Sequence, residues 1–184
     1  ARLAALALSC AWGIIAMSTG INALAKSNAQ KRTLKHEVPA AVSVRIDTDD
    51  VLHSGIVLTV VCGLIALVSF LALLHALLAR ARPASWQKHA HRAGALALAF
   101  LSVWLFATLV PFTDFVANRA AKVSATLGGA PLSPAEIQAY QDALGLTTVY
   151  HKLGYLVTGT VLPWITLLFA SLASLLSFVH ARQA

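Results

Sequence analysis

Val51-Leu-His-Ser-Gly-Ile-Val-Leu-Thr-Val-Val-Cys-Gly-Leu-Ile-Ala-Leu-Val-Ser-Phe-Leu-Ala-Leu-Leu-His-Ala-Leu-Leu-Ala79 contains no Asp, Glu, Lys or Arg, and Asp50 and Arg80 bound it. A helix crosses the hydrocarbon core of a bilayer with roughly 20 apolar residues. A helix lying on a soluble protein would show a polar face at 3.6-residue spacing, and this run has none. It therefore reads as a transmembrane helix.

Working outward, three further blocks have the same character, at about 3–24, 90–110 and 149–179. Together the four blocks predict an all-α fold, a four-helix transmembrane bundle, as one domain over 1–184. Long loops at 25–50 and 112–148 fall on one side of the membrane, and a short loop at 80–92 falls on the other. Composition agrees: 58% of residues are hydrophobic, only 11% are charged, and the mean hydropathy is +0.74. Soluble domains carry about a quarter charged residues.

The net charge of +7 invites a nucleic-acid reading, which its distribution excludes. All seven acids, Glu37, Asp47, Asp49, Asp50, Asp114, Glu136 and Asp142, lie in or beside the two long loops, where the balance is near neutral. Arg2, Arg80, Arg82, Lys88, Arg92 and Arg182 stand at the opposite helix ends with no acid. Lys and Arg concentrated in short segments favour the cytoplasmic side. The expected topology puts both termini and loop 80–92 in the cytoplasm and the long loops outside, in the plasma membrane. Arg80, Arg82, Lys88 and Arg92 then form a basic rim suited to anionic lipid headgroups.

Small residues recur at four-residue spacing: Ala5, Ser9 and Gly13, then Ala16 and Gly20, and Gly55, Thr59 and Gly63 in the second block. Such stripes let helix backbones approach closely in lipid, so Gly13, Gly20, Gly55 and Gly63 are expected helix-packing positions. Pro111 and Pro163 interrupt the last two helices, each removing one backbone hydrogen bond. Thr158, Thr160 and Thr166 stand near Pro163 to satisfy freed backbone groups.

The long loops predict a small extramembrane cap. Residues 42–47 alternate apolar and polar, as a half-buried strand does. The third helix is expected to project outward to about 127. Ser133-Pro-Ala-Glu136 reads as a capping box opening a short helix with Ile137, Tyr140 and Leu144 on one face. Arg119, Ile137 and Tyr140 are the expected cap or partner contacts. Cys10 and Cys62 both lie inside hydrophobic blocks, so no disulfide holds the loops.

Histidines are the remaining candidates for chemistry. His75, His89, His91 and His180 gather at the basic helix ends and are expected to be solvated or lipid-facing. His53 and His151 begin the second and fourth helices at their outer ends; a pair across a bundle would give a haem- or metal-binding redox protein, the alternative reading. The chain lacks a nucleophile elbow, a phosphate loop and a zinc motif. No acid or base sits at mid-membrane depth, where ion-coupled transporters place them. The expectation is a protein that is not an enzyme and has no cofactor or metal. It would organise membrane as a homo-oligomer or in a larger complex, with an accessory subunit as a further alternative.

The run Trp104-Leu-Phe-Ala-Thr-Leu-Val-Pro-Phe-Thr-Asp-Phe-Val-Ala-Asn-Arg-Ala-Ala-Lys-Val-Ser-Ala-Thr-Leu-Gly-Gly129 is similar to uncharacterised tetraspan membrane proteins of basidiomycete fungi. Gly154-Tyr-Leu and Leu162-Pro-Trp-Ile-Thr-Leu-Leu-Phe169 resemble the fourth helix of that group. In layout the whole chain also resembles PalI-type and claudin-like tetraspans. The resemblance implies membrane organisation, assembly or partner stabilisation, with no catalytic residues to carry over.

Overall fold

A computed structural model describes residues 1–37, 42–78, 84–120, 122–127, 130, 131, 133, 135, 138 and 149–183. Four long helices dominate it: α1 (Arg2–Glu37), α2 (Asp49–Leu78), α3 (Ala84–Asn118) and α4 (Gly154–Gln183). Each contains a stretch long and apolar enough to cross a membrane: Arg2–Ala29, Val51–Leu78, His89–Asn118 and Gly154–Arg182. The all-α four-helix transmembrane bundle is the architecture of this integral membrane protein.

α1 packs between α2 and α4, and α3 packs between the same two from the other side, so α2 and α4 face each other across a diagonal. Leu6, Val61, Ile65, Leu98, Leu105 and Leu109 are fully buried along the axis. Outside, Phe70, Leu77, Leu96, Phe100, Val103, Leu168 and Leu175 are at least half exposed. That inversion of the soluble pattern is what a lipid solvent permits, because lipid tails solvate Leu and Phe as well as a protein core does.

The α1–α2 contact explains the small-residue stripes. A Cβ at Gly13 would lie 3.0 Å from the Cys62 carbonyl oxygen and 3.1 Å from the Ala66 nitrogen, so the two backbones nearly touch there. One at Gly20 would collide with the Thr59 side chain, and one at Gly63 would sit 2.8 Å from the Met17 sulfur. As α1 ascends, its contacts on α2 descend in step, which is the register of an antiparallel pair. Gly55 faces α3 instead, with Phe112 at 3.4 Å.

Three expected boundaries are corrected. α1 does not end near residue 24. It continues to Glu37, because 25–37 contains no Gly or Pro to stop it. α3 does not project to 127. It ends at Asn118, and Lys122–Leu127 forms a strand, β2. The sequence Lys-Val-Ser-Ala-Thr-Leu alternates polar and apolar, a period of two that outweighs the helical spacing upstream. The fourth helix also starts later than 149: Tyr150–Lys152 is a 3-10 turn, and α4 opens at Gly154.

β1 (Val42–Asp47) is the strand that the alternation predicts. It pairs antiparallel with β2, from Val42 opposite Leu127 to Asp47 opposite Lys122. A two-residue strand, β3 (Ala130–Pro131), completes the sheet in the order β1-β2-β3. The long loops thus join, through backbone pairing between β1 and β2. Of the short helix expected after Ser133, Ala135 and Gln138 are helical; the rest of it, Ile137, Tyr140 and Leu144 included, lies outside the described residues.

α3 and α4 run unbroken through Pro111 and Pro163. The threonines expected to serve Pro163 turn elsewhere. Thr158 donates to the Gly154 carbonyl, Thr160 to that of Leu156, and Thr166 to those of Leu162 and Trp12.

Candidate functional site: a histidine and arginine layer

An up-and-down bundle brings the start of α1, the end of α2, the start of α3 and the end of α4 to one face, the short-loop face. From each of these ends one basic side chain joins a common layer: Arg2, His75, His91 and His180. The His91 ring lies at the centre. Its centroid is 5.4 Å from that of His75 and 5.6 Å from that of His180, both edge-on. The Arg2 guanidinium donates from Nη2 to His91 Nδ1 at 2.8 Å. A guanidinium has no lone pair to offer, so Nδ1 is the acceptor and the His91 proton sits on Nε2.

His91 is buried at 8% exposure, His180 is exposed, and Arg2 and His75 are intermediate. The expectation that these histidines are all solvated or lipid-facing therefore fails for His91, which α2 and α4 flank with rings of their own. Two buried nitrogens in the layer, Arg2 Nε and His75 Nε2, have no hydrogen-bond partner.

Beneath the layer, three of the four pairs of neighbouring helices have a polar tie among the described residues. Ser9 and Ser69 share a hydrogen bond of 2.9 Å between α1 and α2. Ser174 on α4 donates to the Ala95 carbonyl on α3 at 3.0 Å, and Thr166 on α4 donates to that of Trp12 on α1 at 3.0 Å. Trp12 also stacks on Phe169, with centroids 6.5 Å apart. Toward the opposite face, Trp164 Nε1 on α4 donates to the Thr113 hydroxyl on α3 at 3.3 Å.

The residues singled out from sequence fall in three places. Gly13, Gly20 and Gly63 lie in the α1–α2 seam, and Gly55 meets α3. Arg119 sits just beyond the end of α3, its guanidinium 4.2 Å over the Phe115 ring. Its carbonyl accepts from the Tyr150 N–H at 3.4 Å, so the turn before α4 is tied to the end of α3. Of the basic rim, Arg92 is exposed on α3 and Lys88 belongs to the same helix; Arg80 and Arg82 lie outside the described residues. His53 and His151 are both exposed at the long-loop ends of their elements. Among the described residues no group of three or more His, Cys, Asp or Glu side chains is placed to hold a metal ion.

Sequence reasoning gathered the inner histidines on one face but missed their convergence and the part played by Arg2. The available signal was weak: at least one basic side chain near the same end of each span, with no Asp or Glu at that end.

Compared with protein-family models, with curated proteins and with solved structures, the chain matches none.

Proposed function

We propose that this chain is a non-enzymatic tetraspan that organises membrane by self-association or within a larger complex. The observation supporting this most directly is how its buried polar groups are used. Ser9, Ser69, Thr166 and Ser174 each bond to a neighbouring helix, and the seam at Gly13 brings two backbones into contact. An interior built this way makes a rigid four-helix unit. Its outside offers large apolar side chains, of which Phe100 and Val103 on α3 are the most exposed, at 64% and 69%. A rigid apolar post of this kind is suited to lateral contacts in the bilayer. The likeness of 104–129 to fungal tetraspans points the same way, and a plasma-membrane location with the short loop inside belongs to the same proposal.

The test is the mass of the particle in mild detergent and in nanodiscs, with chemical crosslinking in the native membrane. Self-association predicts a discrete oligomer, weakened when Phe100 and Val103 are both replaced by Ala. A protein that is monomeric in membranes at all densities and crosslinks to nothing would remove the proposal. Orientation is tested separately: protease added from outside should cut within the long loops and leave 80–92 intact.

A further inference from the structure

Two orphaned nitrogens stand on the short-loop face, and the guanidinium one can only donate. Arg2 Nε carries a proton and a share of a permanent positive charge, and it is buried without a partner. His75 Nε2, also buried, has none either. Buried polar groups almost always find a partner in the protein, in water or in a bound ion.

The chemistry of the surroundings narrows the choice. Arg2, His75, His91 and His180 meet here from the four helices, and none is a carboxylate. Among the described residues, the acids Glu37, Asp47, Asp49, Asp50 and Asp114 are all at the other end of the bundle. A partner for guanidinium and imidazole N–H groups in an acid-free setting is an oxyanion, and Arg matches the spread oxygens of phosphate best.

Depth narrows it further. His75 is three residues from the end of the second span, His91 two from the start of the third and His180 two from the end of the fourth, and Arg2 is bonded to His91 at that level. At a rise of about 1.5 Å per residue, all four side chains stand within roughly 5 Å of the boundary, the level at which phospholipids carry their phosphates. The layer is closed toward the core by His91 and open toward the rim at His180.

We propose that Arg2, His75 and His180, arranged around the buried His91, form a phosphate site occupied by the headgroup of an anionic phospholipid at the short-loop face. Arg2 keeps its Nη2 bond to His91 and turns Nε–H to one phosphate oxygen. His75 and His180 donate to the others. The bond to Arg2 positions His91, and this ring holds the guanidinium at the correct level. The site differs from a diffuse basic rim because it has fixed donors.

The experiment uses the full chain in mild detergent, supplied with phosphatidylglycerol, with phosphatidylcholine or with inorganic phosphate alone. Retained lipid is counted by native mass spectrometry. The wild type should keep phosphatidylglycerol at least tenfold better than phosphatidylcholine. Arg2→Gln and His75→Phe should lose that preference, and Arg92→Gln, on the exposed rim, should keep it. A second readout needs no variant: phosphatidylglycerol should slow diethylpyrocarbonate modification of His75 and His180 about fivefold and leave His53 and His151 unaffected. Protection by inorganic phosphate equal to that by lipid would keep the site and assign it to a soluble phosphate. Equal retention of the two lipids with no protection of His75 or His180, or an Arg2→Gln protein with its preference intact, would overturn the proposal. Each outcome is independent of whether the protein self-associates.

Discussion

The hydroxyls of Ser9 and Ser69 meet at 2.9 Å between α1 and α2, both fully buried, about two turns below the Arg2–His91 pair. Each is the other's partner, and in lipid a deserted hydroxyl has no water to turn to. Interhelical hydrogen bonds in membranes average about 0.6 kcal/mol of coupling, because the separated helices also find partners. Ser9→Ala or Ser69→Ala alone should therefore cost about 1 kcal/mol of stability, and the double variant should cost less than the two together. Unfolding by SDS in bicelles measures this cycle, and strict additivity would show that the bond carries no coupling.

The glycines of the α1–α2 seam are expected to differ in tolerance, and the sequence alone could not rank them. At Gly13 the obstacle is backbone, the Cys62 oxygen and the Ala66 nitrogen, and backbone cannot swing aside. At Gly63 it is the sulfur at the far part of the flexible Met17 side chain. Gly13→Ala should destabilise by about 1–3 kcal/mol, as overpacking does. Gly63→Ala should be close to neutral, and Gly63→Leu, which has more to place, should disrupt the seam. Melting temperatures in detergent would report the order, and equal losses for Gly13→Ala and Gly63→Ala would contradict it.

Gly159 presents the opposite case. It is buried in α4, yet a Cβ there would have nothing within 4 Å. Gly159→Ala should stabilise the protein by about 0.5–1 kcal/mol, because Ala loses less backbone freedom in a helix than Gly. A fall in melting temperature on this substitution would show that the helix around Pro163 needs the glycine.

Pairing of the two long loops can be read chemically. Val44 stands opposite Ala125 in the β1–β2 register, and the native Cys10 and Cys62 are far off inside the spans. Val44→Cys with Ala125→Cys should form a disulfide under mild oxidation, seen as a mobility shift on non-reducing gels. Val42→Cys with Lys122→Cys, at opposite ends of the pair, should not. Equal yields from both pairs would mean that the strands have no fixed register.

How much of this was legible in the sequence depended on whether the signal was local. The spans were, because an uncharged run such as 51–79 admits one reading. The strand 42–47 was too, through its alternation. The reach of α1 to Glu37 was hidden by polarity: Lys26-Ser-Asn-Ala-Gln-Lys-Arg32 looks like a loop to a hydropathy scale and like a helix to a propensity scale. β2 was hidden because Phe112, Phe115, Val116 and Arg119 set up a helical phase that Lys122 and Val123 continue. The layer of Arg2, His75, His91 and His180 was the least legible feature. Sequence fixes which end of each helix a residue occupies, but the rotation of four helices about their axes is set by packing. Whether His91 faces lipid or the bundle interior is decided by contacts such as Gly94 against Ala72.

The β1–β2 ladder also constrains the order in which the chain is made. β1 precedes the second span and β2 follows the third, so the two strands are separated in synthesis by a complete hairpin of membrane helices. Val42 cannot meet Leu127 until that hairpin has crossed and returned, delivering β2 to the side where β1 already waits. The ladder therefore closes only on a chain whose two middle spans have both crossed. A chain in which only one of the two spans had crossed would leave two strand edges unpaired on opposite sides of the bilayer.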